Sequence, residues 1–147
     1  MPVHLIKLAV GVESVEALAE RQRQRRTERI AAGGPDRLQI LTRNAPRRLD
    51  EVLDGGSLYW VVKGSLMVRQ RLLAIEPVSV GEGARRTALV LDETLVRTRP
   101  RRTRPFQGWR YLEAADVPTD LRAGERPGED DEPPPAMAAE LRELGLL

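Results

Sequence analysis

SLYWVVKGSLMVRQRLLAIEPV, Ser57–Val78, carries the strongest β signal in the chain. It is rich in Val, Leu, Tyr and Trp and is interrupted only by Gly64, which suits a turn or bulge. From Leu66 onward, strict alternation puts Leu66, Val68, Gln70 and Leu72 on one face and Arg69 and Arg71 on the other. Tyr59 and Trp60 fall on opposite faces of a regular strand. One of them is therefore expected in the core, Trp60, and the other, Tyr59, at a surface.

Upstream, Val3–Val10 reads as a strand with His4, Ile6, Leu8 and Val10 on one face and Lys7 on the other. Ser14 suits a helix N-cap, with Glu16 in the first turn where negative charge is favoured. The helix has a thin apolar stripe (Val15, Leu18, Ala19, Ile30), and its middle, ERQRQRRTER, belongs on the outside. Gly33-Gly34-Pro35 closes it. Arg37–Arg43 reads as a second strand. Pro46 can open a short helix and Gly55-Gly56 can stop it, with Leu49, Val52 and Leu53 facing inward.

Downstream, SVGEGARR reads as a turn, TALVLD as a strand and DETL as a further turn. RTRPRRTRP, Arg97–Pro105, contains two prolines that remove ladder donors, so it is expected as a loop or sheet edge. Trp109–Leu112 should form a last short strand packed on the core, where Trp109→Ala would cost ~3–5 kcal/mol. The composition changes after Leu121. Residues 1–121 are expected as one α+β domain, 122–135 as an acidic Pro/Gly-rich linker, and 136–147 as a short amphipathic helix carrying Met137, Leu141 and Leu144.

A chain of 147 residues accommodates one domain with a real core. No window is apolar for long enough to span a membrane, and MPVHLIKLAVG lacks the basic n-region of a signal peptide. Cysteine is absent, which excludes disulfides and thiolate chemistry and makes the cytoplasm the expected compartment. The net charge of +2 hides an asymmetry: residues 1–120 carry 21 Lys+Arg against 15 Asp+Glu, and residues 121–147 carry 3 against 7. Lys7 and Lys63 are the only lysines; every other cation is arginine.

HLIKLAVGVESV, LDGGSLYWVVKG, RQRLLAIEPV and PFQGWRYL, in this order over about the first 120 residues, resemble a family of small alphaproteobacterial proteins of unknown function. The resemblance brings no catalytic residue, and the acidic tail lies outside it. In layout, a strand, a helix, TRNAPRR with a short helix, and then several antiparallel strands are similar to PUA-like domains, including the ASCH and EVE branches. That likeness implies a pseudo-barrel that often binds RNA or modified bases. The expected fold is thus a curved, mostly antiparallel sheet with two or three peripheral helices.

Catalytic patterns are lacking. His4 is the only histidine and sits on an apolar strand face, where a buried histidine is the simpler reading. GGSLY departs from G-x-S-x-G at Tyr59, and no phosphate loop motif occurs. Without cysteine and with one histidine, neither a metal site nor a cofactor is expected. Anion binding has more support. Arg43, Arg47 and Arg48 flank the start of a helix whose free N–H groups attract anions, although an exposed loop explains them equally well. Lys63 precedes Gly64, which permits close backbone approach, or it simply extends from a strand edge. Arg69 and Arg71 share a face and need an anion, an acidic partner or open water. Arg99, Arg101, Arg102 and Arg104 crowd the proline-rich edge, and Tyr59 is the candidate for stacking on a base.

The leading reading is a non-enzymatic module that binds RNA or another polyanion, with a modified base as one possible target. A protein-interaction module using the C-terminal helix is the first alternative. A small enzyme acting on a nucleotide-like anion is the second.

Overall fold

Lys63 and Gly64 adopt positive φ angles of 51° and 83° and reverse the chain in the middle of the Ser57–Val78 stretch. Positive φ at both central residues is what a two-residue hairpin with right-twisted strands demands, and glycine supplies it without strain at the second position. The hairpin joins β3 (Ser57–Val62) to β4 (Ser65–Gly81), which pair antiparallel with Val62 opposite Ser65. The structure, a computed structural model, describes residues 2–81 and 83–121. The linker and helix expected over 122–135 and 136–147 lie outside the described residues.

Around this hairpin stand β1 (Val3–Leu8), α1 (Val15–Ala31), β2 (Leu38–Thr42), α2 (Leu49–Leu53), β5 (Ala84–Leu91), β6 (Val96–Arg102) and β7 (Trp109–Glu113). A single 3₁₀ turn, Ala114–Asp116, follows β7. The seven strands form one mixed sheet in the order β2-β5-β4-β3-β1-β7, with β6 on the first part of β4. Among the described residues only β1 and β3 pair in parallel, so the segment carrying α1, β2 and α2 is their crossover. The α+β class and the mostly antiparallel sheet follow the sequence reading. Among the described residues β2 and β7 end the path without pairing, so the sheet is not closed.

Three bulges interrupt β4, the last at Val80, and the first two shape the core. One lies at Met67, where Trp60 pairs with Val68 but Val61 pairs with Leu66. The extra residue turns Leu66 to the opposite face from Val68, and the two enter different apolar clusters. The second lies at Leu73, where Leu72 faces Leu91 and Ala74 faces Val90. Beyond it β4 leaves β3 and continues as a ribbon with β5, so SVGEGARR is mostly strand rather than turn. The core between the sheet and α1 holds Leu5, Leu58, Trp60, Val62, Val68, Leu72, Leu89 and Leu91 with Val15 and Leu18 of the helix. The other face buries Ile6, Tyr59, Val61, Leu66 and Leu112 beneath Phe106 and Val117.

That second cover corrects one expectation. Tyr59 is 3% exposed and Trp60 5%, so both aromatic neighbours are core, and Tyr59 is no surface platform for a base. Alternation correctly separates their faces, but the chain after β7 folds back over the face that a simple two-layer reading leaves open. Val10, Ile30, Leu49 and Leu53 are exposed, and of the α2 side chains only Val52 is buried. Trp109 is half-buried against the first cluster. Ser14 caps α1 by accepting the Ala17 N–H at 3.0 Å, as its sequence context predicts. Pro100 lies in β6, which pairs with β4 on one side and on the other makes only the isolated Thr98–Asp120 bridge as β pairing among the described residues, so Arg97–Pro105 is largely a sheet edge.

Candidate functional site

The arginines expected to bind an anion are spread over several surfaces, and many are already engaged. Arg48 pairs with Glu51 at 2.6 Å and Glu113 at 2.7 Å, which raises its pKa above the ordinary arginine value, and it lies over the Tyr111 ring. The Tyr111 hydroxyl accepts the N–H groups of Arg47 (2.7 Å) and Arg48 (3.2 Å), so groups expected to attract an anion ahead of α2 are satisfied by the phenol. Arg69 makes a two-pronged pair with Asp120 at 2.8 and 2.7 Å and donates to Ser57 Oγ at 3.0 Å. Arg101 donates to the Asp116 carbonyl, and Arg99 and Arg102 are engaged within the structure. Lys63 is exposed at its turn, Arg71 on β4, Arg43 after β2 and Arg104 after β6.

A further cluster of cations lies elsewhere. The end of β1, the outer half of α1 and β2 enclose a cavity of about 590 Å³ whose lining includes Lys7, Arg21, Arg25 and Arg29 and no carboxylate. Its apolar wall comes from Leu8, Leu38, Ile40 and Trp60. Arg21 and Arg29 are held by backbone: Arg21 Nη1 donates to the Val10 carbonyl at 2.6 Å, and Arg29 donates to the carbonyls of Arg37 and Gln39. Gly11, at a φ of 77°, makes room for this, because a Cβ there would meet the Arg21 guanidinium at 3.1 Å. Desolvation, with Arg37 and Arg26 nearby, lowers the Arg29 pKa. Lys7 is half-buried in the row Trp60–Lys7–Trp109 across β3, β1 and β7, and desolvation lowers its pKa too.

A buried amide network fixes this wall. Gln70 Oε1 accepts from Trp60 Nε1 at 2.8 Å and from Gln22 Nε2 at 2.7 Å. Gln70 Nε2 donates to Gln22 Oε1 at 2.9 Å and to the Asp92 carbonyl at 3.0 Å. Gln22 projects from α1 and Gln70 from β4, so the network sets the seat of the helix on the sheet, and the spread of the cavity with it.

Sequence reading passes over Lys7, Arg21, Arg25 and Arg29 because ERQRQRRTER looks like a solvated helix face. A signal is present: Arg21, Arg25 and Arg29 recur every four residues and so share one face of α1. What covers that face is settled by where β2 lies.

On the opposite face, His4 is buried, as expected for the lone histidine. Its Nδ1 accepts the Ser57 N–H at 3.0 Å and its ring meets Tyr59 edge-on at 5.3 Å. Burial, with Arg69 adding to it, lowers its pKa from the ordinary 6.5. The folded state therefore binds a proton less readily than the unfolded chain. The stability this contributes is complete above pH 6.5 and is lost as pH falls through the depressed folded value. Thermal melts should show the native protein losing stability below that pH relative to His4→Gln, which keeps an acceptor and removes the titration. Parallel curves down to the carboxylate range would refute a neutral His4.

Among the described residues no helix is long and apolar enough to cross a membrane, and no three His, Asp or Glu side chains gather as a metal site would require. No curated protein and no solved structure matches the chain significantly. The family model described as "Protein of unknown function (DUF1489)" matches residues 5–147. The match runs through the acidic tail, which the motif resemblance had left outside. On that coverage, the chain belongs to the DUF1489 family.

Proposed function

We propose that the protein is a non-enzymatic, cytoplasmic module that binds RNA or another nucleic acid, with the cavity under α1 as its principal grip. The observation that carries this reading is the charge set: four cations and no carboxylate around one cavity with an apolar wall. Like charges at such density repel one another and lose hydration on burial, which an anionic ligand offsets. The apolar wall suits a base, standard or modified, beside the phosphates. The layout likeness to PUA-like domains points the same way by analogy. The exposed cations Arg43, Arg71 and Arg104 and the rest of the Arg97–Arg104 edge are secondary contacts in this reading.

Single-stranded RNA should bind with ~3–5 phosphates neutralised, so log K should fall against log salt with a slope of about −2 to −4. Arg25 is exposed and its side chain makes no hydrogen bond or ion pair within the described residues, so Arg25→Glu should leave the melt unchanged and weaken binding about tenfold or more. Fluorescence anisotropy with a labelled RNA across a salt series checks both. Binding indifferent to salt would refute the reading. Loss confined to an Arg99, Arg101, Arg102 and Arg104 to Ala variant would move the grip to the β6 edge.

A further inference from the structure

We infer that the cavity under α1 receives the phosphate monoester of a nucleotide, either free or at the end of a strand, with Lys7 as the cation reached from the sheet side. The inference rests on the nucleic-acid reading above and narrows it. Four cations around about 590 Å³ far exceed the single charge of an internal phosphodiester. A terminal monoester carries about −1.5 to −2 charges near neutral pH and presents three acceptor oxygens. The cavity is part-enclosed between α1 and the sheet and is of a size that small ligands occupy. A chain end can enter it, whereas an internal phosphate would have to bring strand in on both sides.

The arrangement of the donors supports the same ligand. Arg21 and Arg29 are pinned to backbone carbonyls on two walls, so their remaining N–H groups are set in place before any ligand arrives. The Lys7 ammonium has no ion pair or hydrogen bond among the described residues, yet the residue is half-buried between two tryptophans in the strand register. A desolvated ammonium without a counter-charge is costly, and a dianion within reach removes that cost. Leu38, Ile40 and Trp60 then face the body of the nucleotide.

The test uses the full chain and two pairs of probes: adenosine 5′-monophosphate against adenosine by calorimetry, and a 5′-phosphorylated against a 5′-hydroxyl RNA of one sequence by anisotropy. The phosphorylated member of each pair should bind about tenfold or more tightly. Lys7→Met keeps the apolar stem and should erase that preference without lowering the melting temperature. Should Lys7→Met misfold, Arg25→Gln, at an exposed position, should still reduce affinity for the monophosphate. Equal affinity for both RNA ends, with the monophosphate no better than adenosine, overturns the monoester site and leaves the nucleic-acid grip standing. Binding of the monophosphate with no binding of either RNA supports the monoester site and overturns the nucleic-acid reading. No binding of any probe overturns both.

Discussion

Gln70→Ala is expected to destabilise the protein by about 3–5 kcal/mol, although it removes a polar side chain. Gln70 is fully buried and takes part in four hydrogen bonds, two accepted and two donated. Truncation strands the buried Trp60 indole N–H and both ends of the buried Gln22 amide, leaves the part-buried Asp92 carbonyl without this donor, and opens a void. Charge and hydrophobicity scales place Gln70 among ordinary surface residues, so the size of the effect discriminates sharply. Because Gln22 is its partner, Gln22→Leu with Gln70→Leu should cost clearly less than the two single changes added together. Urea melts of the four proteins supply the cycle. A Gln70→Ala cost below about 1 kcal/mol would mean that the network does not form.

Trp60→Ala should cost a similar ~3–5 kcal/mol, the range for emptying an aromatic core position, whereas Trp109→Ala should cost only about 1–2 kcal/mol. Trp60 is 5% exposed, sits in the main cluster and anchors the amide network. Trp109 is half-buried, meets Tyr111 edge-on at 5.0 Å and donates its indole N–H to the Asn44 carbonyl at 2.9 Å. The larger cost that dense aromatics around Gly108 suggest for Trp109 is therefore reassigned to Trp60. Thermal melts of the two variants decide it: equal losses would place Trp109 as deep in the core as Trp60. Trp60→Ala should also loosen the cavity wall and weaken RNA binding, so its binding must be measured below its own melting transition.

Much of the architecture was legible because it rests on local physics. Alternation from Leu66 to Leu72 marked the buried positions, Gly64 marked the reversal, and Ser14 marked the start of α1. Two prolines in Arg97–Pro105 marked a sheet edge. The site was much less legible. Arginine counts drew attention to Arg48 and Arg69, which the fold neutralises with Glu51, Glu113 and Asp120. Glu113 and Asp120 lie 65 and 51 residues away from their partners, and no local pattern announces such pairs.

Residue order alone placed most of the extended segments, both helices and the reversal at Gly64, since period, capping and φ preference act within a few residues. It pointed to a turn over residues 79–86, however, where β4 and β5 continue as strand. The tertiary structure decided which faces are covered and where charge is left unpaired. A single extra residue at Met67 sends Leu66 and Val68 to different clusters, and the fold-back after β7 buries Tyr59. The β1–β3 crossover lays β2 beside α1 and so gathers Lys7, Arg21, Arg25 and Arg29 about one cavity. Charge–charge and desolvation energies depend on distance and burial through space, and those are fixed only when segments far apart in the chain pack together.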